Sequence, residues 1–444
     1  MDTIRKIRVQ QAAEILSSNH RQGYTIPSGR LYPFQWNWDA GFIALGWWHL
    51  EPEQAMTEIR RMFEGQWKHG MLPHINFFQP NDNYFPGPSV WKTGGSKEAP
   101  DGVATSGITQ PPVFGWVLAN LHHKQHTHDT VWMDFVREIY PKVVASHRYL
   151  YTHRDPFQEG LVYIQHNWES GTDNSPIWDD ILDAMDVSRA RDVSALRKDN
   201  KNVDPAERPT DENYKRYICL VDLFAELQYD DAAIAKQSPF LVQDVLFNAL
   251  LVKSNEGLLE LGRWLGEDVS DIERWNERTK HAIQTKLWDA EAGFYFAYDL
   301  VHQRSIRIKT SSGFVPLFAG ICSKEQADQL VEKLLNDFAP SSAWMLCAST
   351  APNEAAFNPL KYWRGPAWIN LNWMLYHGLL HYGKVDIAQV IKQQTIHLVE
   401  DHGFYEYFDP RPSESCQQPR GIGADRFSWT AALYLDLVHE TPAI

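Results

Sequence analysis

Two acidic residues stand in company that a solvated surface carboxylate rarely keeps. Asp173 lies in His166-Asn167-Trp168-Glu169-Ser170-Gly171-Thr172-Asp173-Asn174-Ser175-Pro176, flanked by Trp168 and Trp178. Apolar rings beside a carboxyl disfavour its ionised form and raise its pKa, as a general acid working near neutral pH requires. The plainer alternative is an Asx-type loop in which Asp173 caps a helix beginning at Pro176. Glu406 lies in Gly403-Phe404-Tyr405-Glu406-Tyr407-Phe408-Asp409-Pro410, one carboxylate among four aromatic side chains. Its plainer alternative is a buried structural Glu paired with Arg364 or Arg426.

Three further segments mix rings with polar groups suited to sugar hydroxyls. They are Tyr32-Pro33-Phe34-Gln35-Trp36-Asn37-Trp38-Asp39, then Tyr362-Trp363-Arg364-Gly365-Pro366-Ala367-Trp368, and the closing Asp425-Arg426-Phe427-Ser428-Trp429-Thr430. Other chemistries find less support. His122, His123, His126 and His128 are grouped without an HExxH or a paired Cys/His framework, so no metal is expected. Thr93-Gly94-Gly95-Ser96 is no phosphate loop, no GxSxG elbow is present, and no cofactor is expected. His74, after Pro73, is the residue that a sugar 2-epimerase on a helical barrel would use as acid/base. That makes an isomerase the alternative of a different class.

The elements that must hold these loops are helical. Ala55, Ile59, Met62 and Phe63 share one helix face, as do Tyr217, Leu220, Phe224 and Leu227, and a long apolar helix covers 243–264. Further helices are expected around 4–19, 112–126, 130–153, 269–287, 324–337, 365–381, 385–400 and 426–440. Loops 20–40, 63–110, 154–180, 188–212, 288–312, 340–364 and 402–425 separate them, with short hairpin strands around Gly293. A helix–long loop–helix rhythm of about 35–45 residues suits six concentric helical hairpins. The expectation is an all-α fold, an (α/α)6 barrel, as one domain over 1–444 whose aromatic loops converge at one end.

Composition agrees. The chain has 444 residues, 43% of them hydrophobic, enough for a large core. Its net charge of −14 argues against a nucleic-acid partner, which needs basic patches. The 18 Trp exceed what a core alone requires, and indole faces stack well on sugar rings. Cys219, Cys322, Cys347 and Cys416 are widely spaced and read as reduced thiols. No signal peptide or run of about 18 apolar residues is visible, so a soluble, cytoplasmic protein without a membrane partner is expected. Homo-oligomerisation is left open.

The motifs together resemble those of glycoside hydrolase families 37 and 63, which include trehalases and processing α-glucosidases. Ser170-Gly171-Thr172-Asp173 resembles their acid loop, and Glu406-Tyr407-Phe408-Asp409-Pro410 their base loop. Phe427-Ser428-Trp429-Thr430 and Trp363-Arg364-Gly365-Pro366 match two more segments. The resemblance spans about 30–435 and is nearest to the short branch of family 63, the mannosylglycerate and glucosylglycerate hydrolases. It implies an inverting α-glycosidase with Asp173 as acid and Glu406 as base, the two carboxyls ~6.5–9.5 Å apart to admit a water. Glu169 is the runner-up acid, better suited to a hydrogen-bonding support role. The implied sugar subsite comprises Tyr32, Trp36, Asp39, His74, Tyr84, Gln110, Trp168 and Trp368, with Trp363 and Arg364 from the matching segment. Arg208 and Tyr214 match the pair that reaches glycerate, a carboxylate that requires cationic or clustered donors. Loops 63–110 and 188–212 are expected to act as lids. Cleavage of other small α-glucosides is the nearest alternative, and glucose versus mannose is left open.

Overall fold

A computed structural model of the chain describes residues 3–125, 130–201, 203–339, 347–412 and 421–440. Twelve of its helices alternate between an outer and an inner ring. In chain order they are α1 (Thr3–Asn19), α2 (Asn37–Leu50), α3 (Pro52–Phe63), α4 (Phe114–Lys124), α5 (Thr130–His153), α6 (Val245–Leu265), α7 (Ser270–Ala282), α8 (Val315–Phe318), α9 (Lys324–Asp337), α10 (Ile369–His381), α11 (Val385–His402) and α12 (Ser428–His439). The even-numbered helices pack each on the next, and α12 closes the ring on α2. Of the odd-numbered ones, α1, α3, α5, α7 and α11 pack outside that ring. The ninth helix, α9, lies against the Phe294–Tyr295 strand, which pairs with Trp288–Asp289 as the hairpin expected around Gly293. The fold is an (α/α)6 barrel.

The two rings differ in sequence because they differ in what surrounds them. Outer α3 begins with Pro52 and buries one face, with Ala55, Ile59, Met62 and Phe63 turned inward. Inner α2 is buried continuously from Asn37 to Trp48. A helix enclosed on all sides carries no polar stripe, so amphipathic periodicity cannot reveal it. The expected loop over 20–40 therefore stops short: its end is already α2. Where α2 meets α12, a Cβ on Gly46 would stand 2.4 Å from Ala432 Cα, so the backbones touch.

Segments leading from an inner helix to the next outer one are short. Glu51 alone joins α2 to α3, and 382–384 join α10 to α11. Segments leading from outer to inner helices are long: 20–36, 64–113, 154–244, 283–314, 338–368 and 403–427. They gather at the mouth formed by the inner helix N-termini. Within them are short antiparallel ladders, among them Gln35–Trp36 with Ile75–Phe77 and Tyr405–Phe408 with Gly421–Asp425. Segment 154–244 also holds three α-helices outside the rings, Asp179–Asp183, Asp211–Glu226 and Asp231–Gln237. Among the described residues, no helix is long and apolar enough to cross a membrane. Cys219, Cys322 and Cys347 are free thiols; Cys416 lies outside the described residues.

Candidate active site

Five of the six long segments line one cavity at that mouth. The first supplies Tyr32 and Trp36, with Asp39 following in the first turn of α2. The second supplies His74, Tyr84 and Gln110, and the third Trp168, Asp173, Arg208 and Tyr214. Tyr362, Trp363 and Trp368 come from the fifth and Glu406 from the sixth. Segment 283–314 contributes nothing to this lining. Loops 63–110 and 188–212 both reach the cavity, the latter also through Lys198 and Asp199.

Asp173 and Glu406 meet here through two phenols. The Tyr362 hydroxyl lies 3.4 Å from Asp173 Oδ2 and 3.4 Å from the Tyr32 hydroxyl, which donates to Glu406 Oε1 at 2.8 Å. Three contacts in series cap the separation of the carboxyls close to the upper end of the ~6.5–9.5 Å that an inverting pair requires. Burial raises Asp173 to about 7; the Arg208 guanidinium pulls it down and the Glu406 charge pushes it up. Glu406 is also raised by burial, but Arg208, the Ala424 N–H and the two phenols favour its ionised form. Asp39 is raised well above the carboxylate range by burial, then by the Glu406 charge.

Local structure explains both positions. Asp173 caps no helix: the 3-10 turn Pro176–Trp178 starts from Ser175 and has no side-chain cap. Asp173 instead ends a turn in which His166 accepts from Trp168 N–H, Gly171 adopts φ 74°, and Asn167 Nδ2 donates to the Asp173 carbonyl at 2.7 Å. Glu406 sits where the Tyr405–Phe408 ladder loses register, between Tyr405 and Tyr407. Opposite it, Gly423 at φ 74° leaves room for the carboxylate, and Ala424 N–H donates to Glu406 Oε2 at 3.1 Å. A bulge of this kind re-aims a side chain and frees an N–H. The cation nearest Glu406 is Arg208, 3.8 Å away, rather than Arg364 or Arg426.

The remaining expected residues divide. Trp363 and Trp368 stack 3.7 Å apart, and Gln110 Oε1 accepts the Trp38 N–H at 3.2 Å. His74 stacks on Trp168 at 6.3 Å, and burial holds it well below the usual histidine range, so it is neutral. Arg208 Nε contacts Asp199 at 3.3 Å, whereas its Nη1 is buried and makes no hydrogen bond. Arg197 lies 4.0 Å over the Tyr214 ring. Arg364 points away and makes a fork with Asp179 at 2.6 and 2.8 Å. Glu169 is buried behind the cavity wall, bound to Arg154. In the histidine group, His122 accepts from Trp132 and His123 pairs with Glu260; His126 and His128 lie outside the described residues. Sequence reasoning missed Tyr362, Asp199 and Trp38 as lining residues. Tyr362 carried one signal, its place beside Trp363 in an aromatic segment already singled out.

Residues 32–430 match the model of the mannosylglycerate hydrolase MGH1-like glycoside hydrolase domain. The chain is similar to a mannosylglycerate hydrolase of Thermus thermophilus, at 44% identity over 96% of this chain and 99% of that one. It is also similar to a glucosylglycerate hydrolase of Mycolicibacterium hassiacum, at 32% identity over 96% of each. Its structure superimposes on the crystal structure of a family 63 mannosylglycerate hydrolase, also of Thermus thermophilus, in complex with Tris and D-glycerate. That match has a TM-score of 0.91 and 43% identity, covering 97% of this chain and all of the other.

Proposed function

The chain belongs to the mannosylglycerate hydrolase MGH1-like glycoside hydrolase family, and from that premise we propose that it hydrolyses α-mannosyl- or α-glucosylglycerate with inversion, Asp173 acting as acid and Glu406 as base. One observation carries this reading: two buried carboxyls of one cavity, bridged by phenols, whose surroundings favour the proton on Asp173. Tyr32 donates to Glu406 at 2.8 Å, a shorter bond than the 3.4 Å from Tyr362 to Asp173, so the phenols favour charge on Glu406 more than on Asp173. Asp173 protonated and Glu406 ionised is the state the chemistry starts from.

Asp173 gives its proton to the glycosidic oxygen as the bond to the anomeric carbon breaks. Glu406 takes a proton from the water that attacks the opposite face, and the released sugar is the β anomer. Asp39 and Gln110 hold sugar hydroxyls, and Trp168 and Trp368 flank the ring. Arg208 supports a charged aglycone. Its buried Nη1 lies 3.8 Å from Glu406 Oε1 without a hydrogen bond, and is the donor offered to a glycerate carboxylate beside Tyr214.

The test is to follow α-mannosylglycerate and α-glucosylglycerate by NMR with the wild type, Asp173→Asn and Glu406→Gln. The β sugar should appear first and mutarotate later, and each substitution should lower kcat by at least ~10³-fold. First release of the α anomer, or activity surviving either substitution, would overturn the assignment.

A further inference from the structure

Arg154, just past the end of α5, and Glu169 form an ion pair with neither side chain exposed. Burying two charges costs more than pairing them returns unless the other hydrogen-bonding positions are filled. Here they are. Glu169 Oε2 accepts from Gln165 N–H at 2.7 Å and Arg154 Nη1 at 3.0 Å. Oε1 accepts from Arg154 Nη2 at 3.1 Å and Thr109 N–H at 3.1 Å. Arg154 Nε is backed by Asp231 Oδ1 at 3.4 Å and the Tyr149 hydroxyl at 3.2 Å.

What hangs from this pair distinguishes it from an ordinary buried contact. Gln165 and Glu169 bracket the turn that carries Trp168, and four residues further on the same turn ends at Asp173. Thr109 precedes Gln110, which binds the first turn of α2. One carboxylate therefore anchors the loop bearing the acid to the loop bearing a sugar contact. Apolar side chains could fill the same volume but could not hold two backbone N–H groups from different loops.

We propose that Glu169, clamped by Arg154, is the positioning residue for proton delivery by Asp173. The proposal rests on the reading of Asp173 as the acid. Four donors converge on Glu169, and an amide there has one acceptor oxygen and must turn its NH2 toward at least one of them. Glu169→Gln therefore keeps the shape but displaces the turn, and misplacement by ~1 Å is enough to cost ~10²-fold in rate.

Leaving groups separate a positioning role from a structural one. Glycerate leaves only when protonated; 2,4-dinitrophenolate leaves without help. Wild type, Glu169→Gln and Asp173→Asn should be compared on α-mannosyl- and α-glucosylglycerate and on the corresponding 2,4-dinitrophenyl α-glycosides. Glu169→Gln should lose ~10²-fold in kcat on the glycerate substrates and less than ~5-fold in kcat on the dinitrophenyl ones, a weaker form of the Asp173→Asn split, while KM rises alike on both through Trp168 and the Gln110 loop. Should Glu169→Gln not fold, Arg154→Lys keeps the charge, replaces the fork by a point donor and reads the same split. Equal losses in kcat on both substrate classes, or no loss, overturn the proposal. Wild type inert on every glycoside would instead sink the functional reading itself.

Discussion

Arg208 touches both halves of the chemistry. Its cation favours the ionised form of Asp173 and of Glu406 and holds both below where burial alone would put them. In the proposed mechanism activity needs Asp173 protonated, so the alkaline limb of kcat/KM should fall near pH 7, where burial puts Asp173. It needs Glu406 ionised, which sets the acid limb. Removing the cation raises both groups, so Arg208→Ala should move both limbs to higher pH. It should also cost about 2 kcal/mol, roughly thirty-fold in kcat/KM, on a glycerate substrate and much less on an aryl glycoside. An unmoved pH profile with equal losses on both would remove Arg208 from the site.

At the scale of elements, the ladder between Tyr405–Phe408 and Gly421–Asp425 does a task that no single residue does. Its irregularity turns Glu406 into the cavity while giving its other oxygen the Ala424 N–H. Gly423 makes this possible twice over. Its φ of 74° suits glycine, and a Cβ there would stand 2.6 Å from Glu406 Oε2. Gly423→Ala should therefore reduce kcat by roughly 10–10²-fold through displacement of Glu406, the proposed base, at a stability cost of only ~1–2 kcal/mol. Turnover within twofold of wild type would show that the bulge does not set the position of Glu406. The inner helices follow a different rule: α2 needs close backbone contact, and its sequence is apolar on every side because every side is covered.

For the whole molecule, the enclosed interior leaves a mark on stability. Glu58 on α3 is buried, accepts Gln35 Nε2 at 2.7 Å, and is raised to about 8 by burial. Asp244, which caps α6, is raised to about 7 for the same reason. A carboxyl whose folded pKa exceeds its unfolded one binds more protons when folded. Its contribution is complete below the unfolded value, near 4, and is lost as pH rises toward 8. Glu58→Gln cannot titrate, so between about pH 5 and 8 its stability should fall less steeply than the wild type's, by up to about 1.4 kcal/mol per pH unit. Denaturant melts across that window check this; parallel slopes would refute it.

Much of the molecule is legible in its amino-acid sequence. The one-sided periodicity of helices such as α3, the rhythm of long loops, and carboxyls among aromatic rings are local preferences for burial, and each residue carries its own. Asp173, Glu406, Asp39 and Trp168 could be named from such company together with the family resemblance. Tertiary structure alone decided the relations between them. Tyr362 bridges to Asp173 and Tyr32, and Arg208 reaches Glu406, each across a gap that only closure of the ring removes, while Arg154 anchors Glu169 within one segment. It likewise decided that Arg364 turns to Asp179 and that 37–50 is a helix. The reason is physical: burial is a preference of single residues and shows in composition. Proton affinity and side-chain direction are set by neighbours that the chain brings together only when six hairpins close on one another.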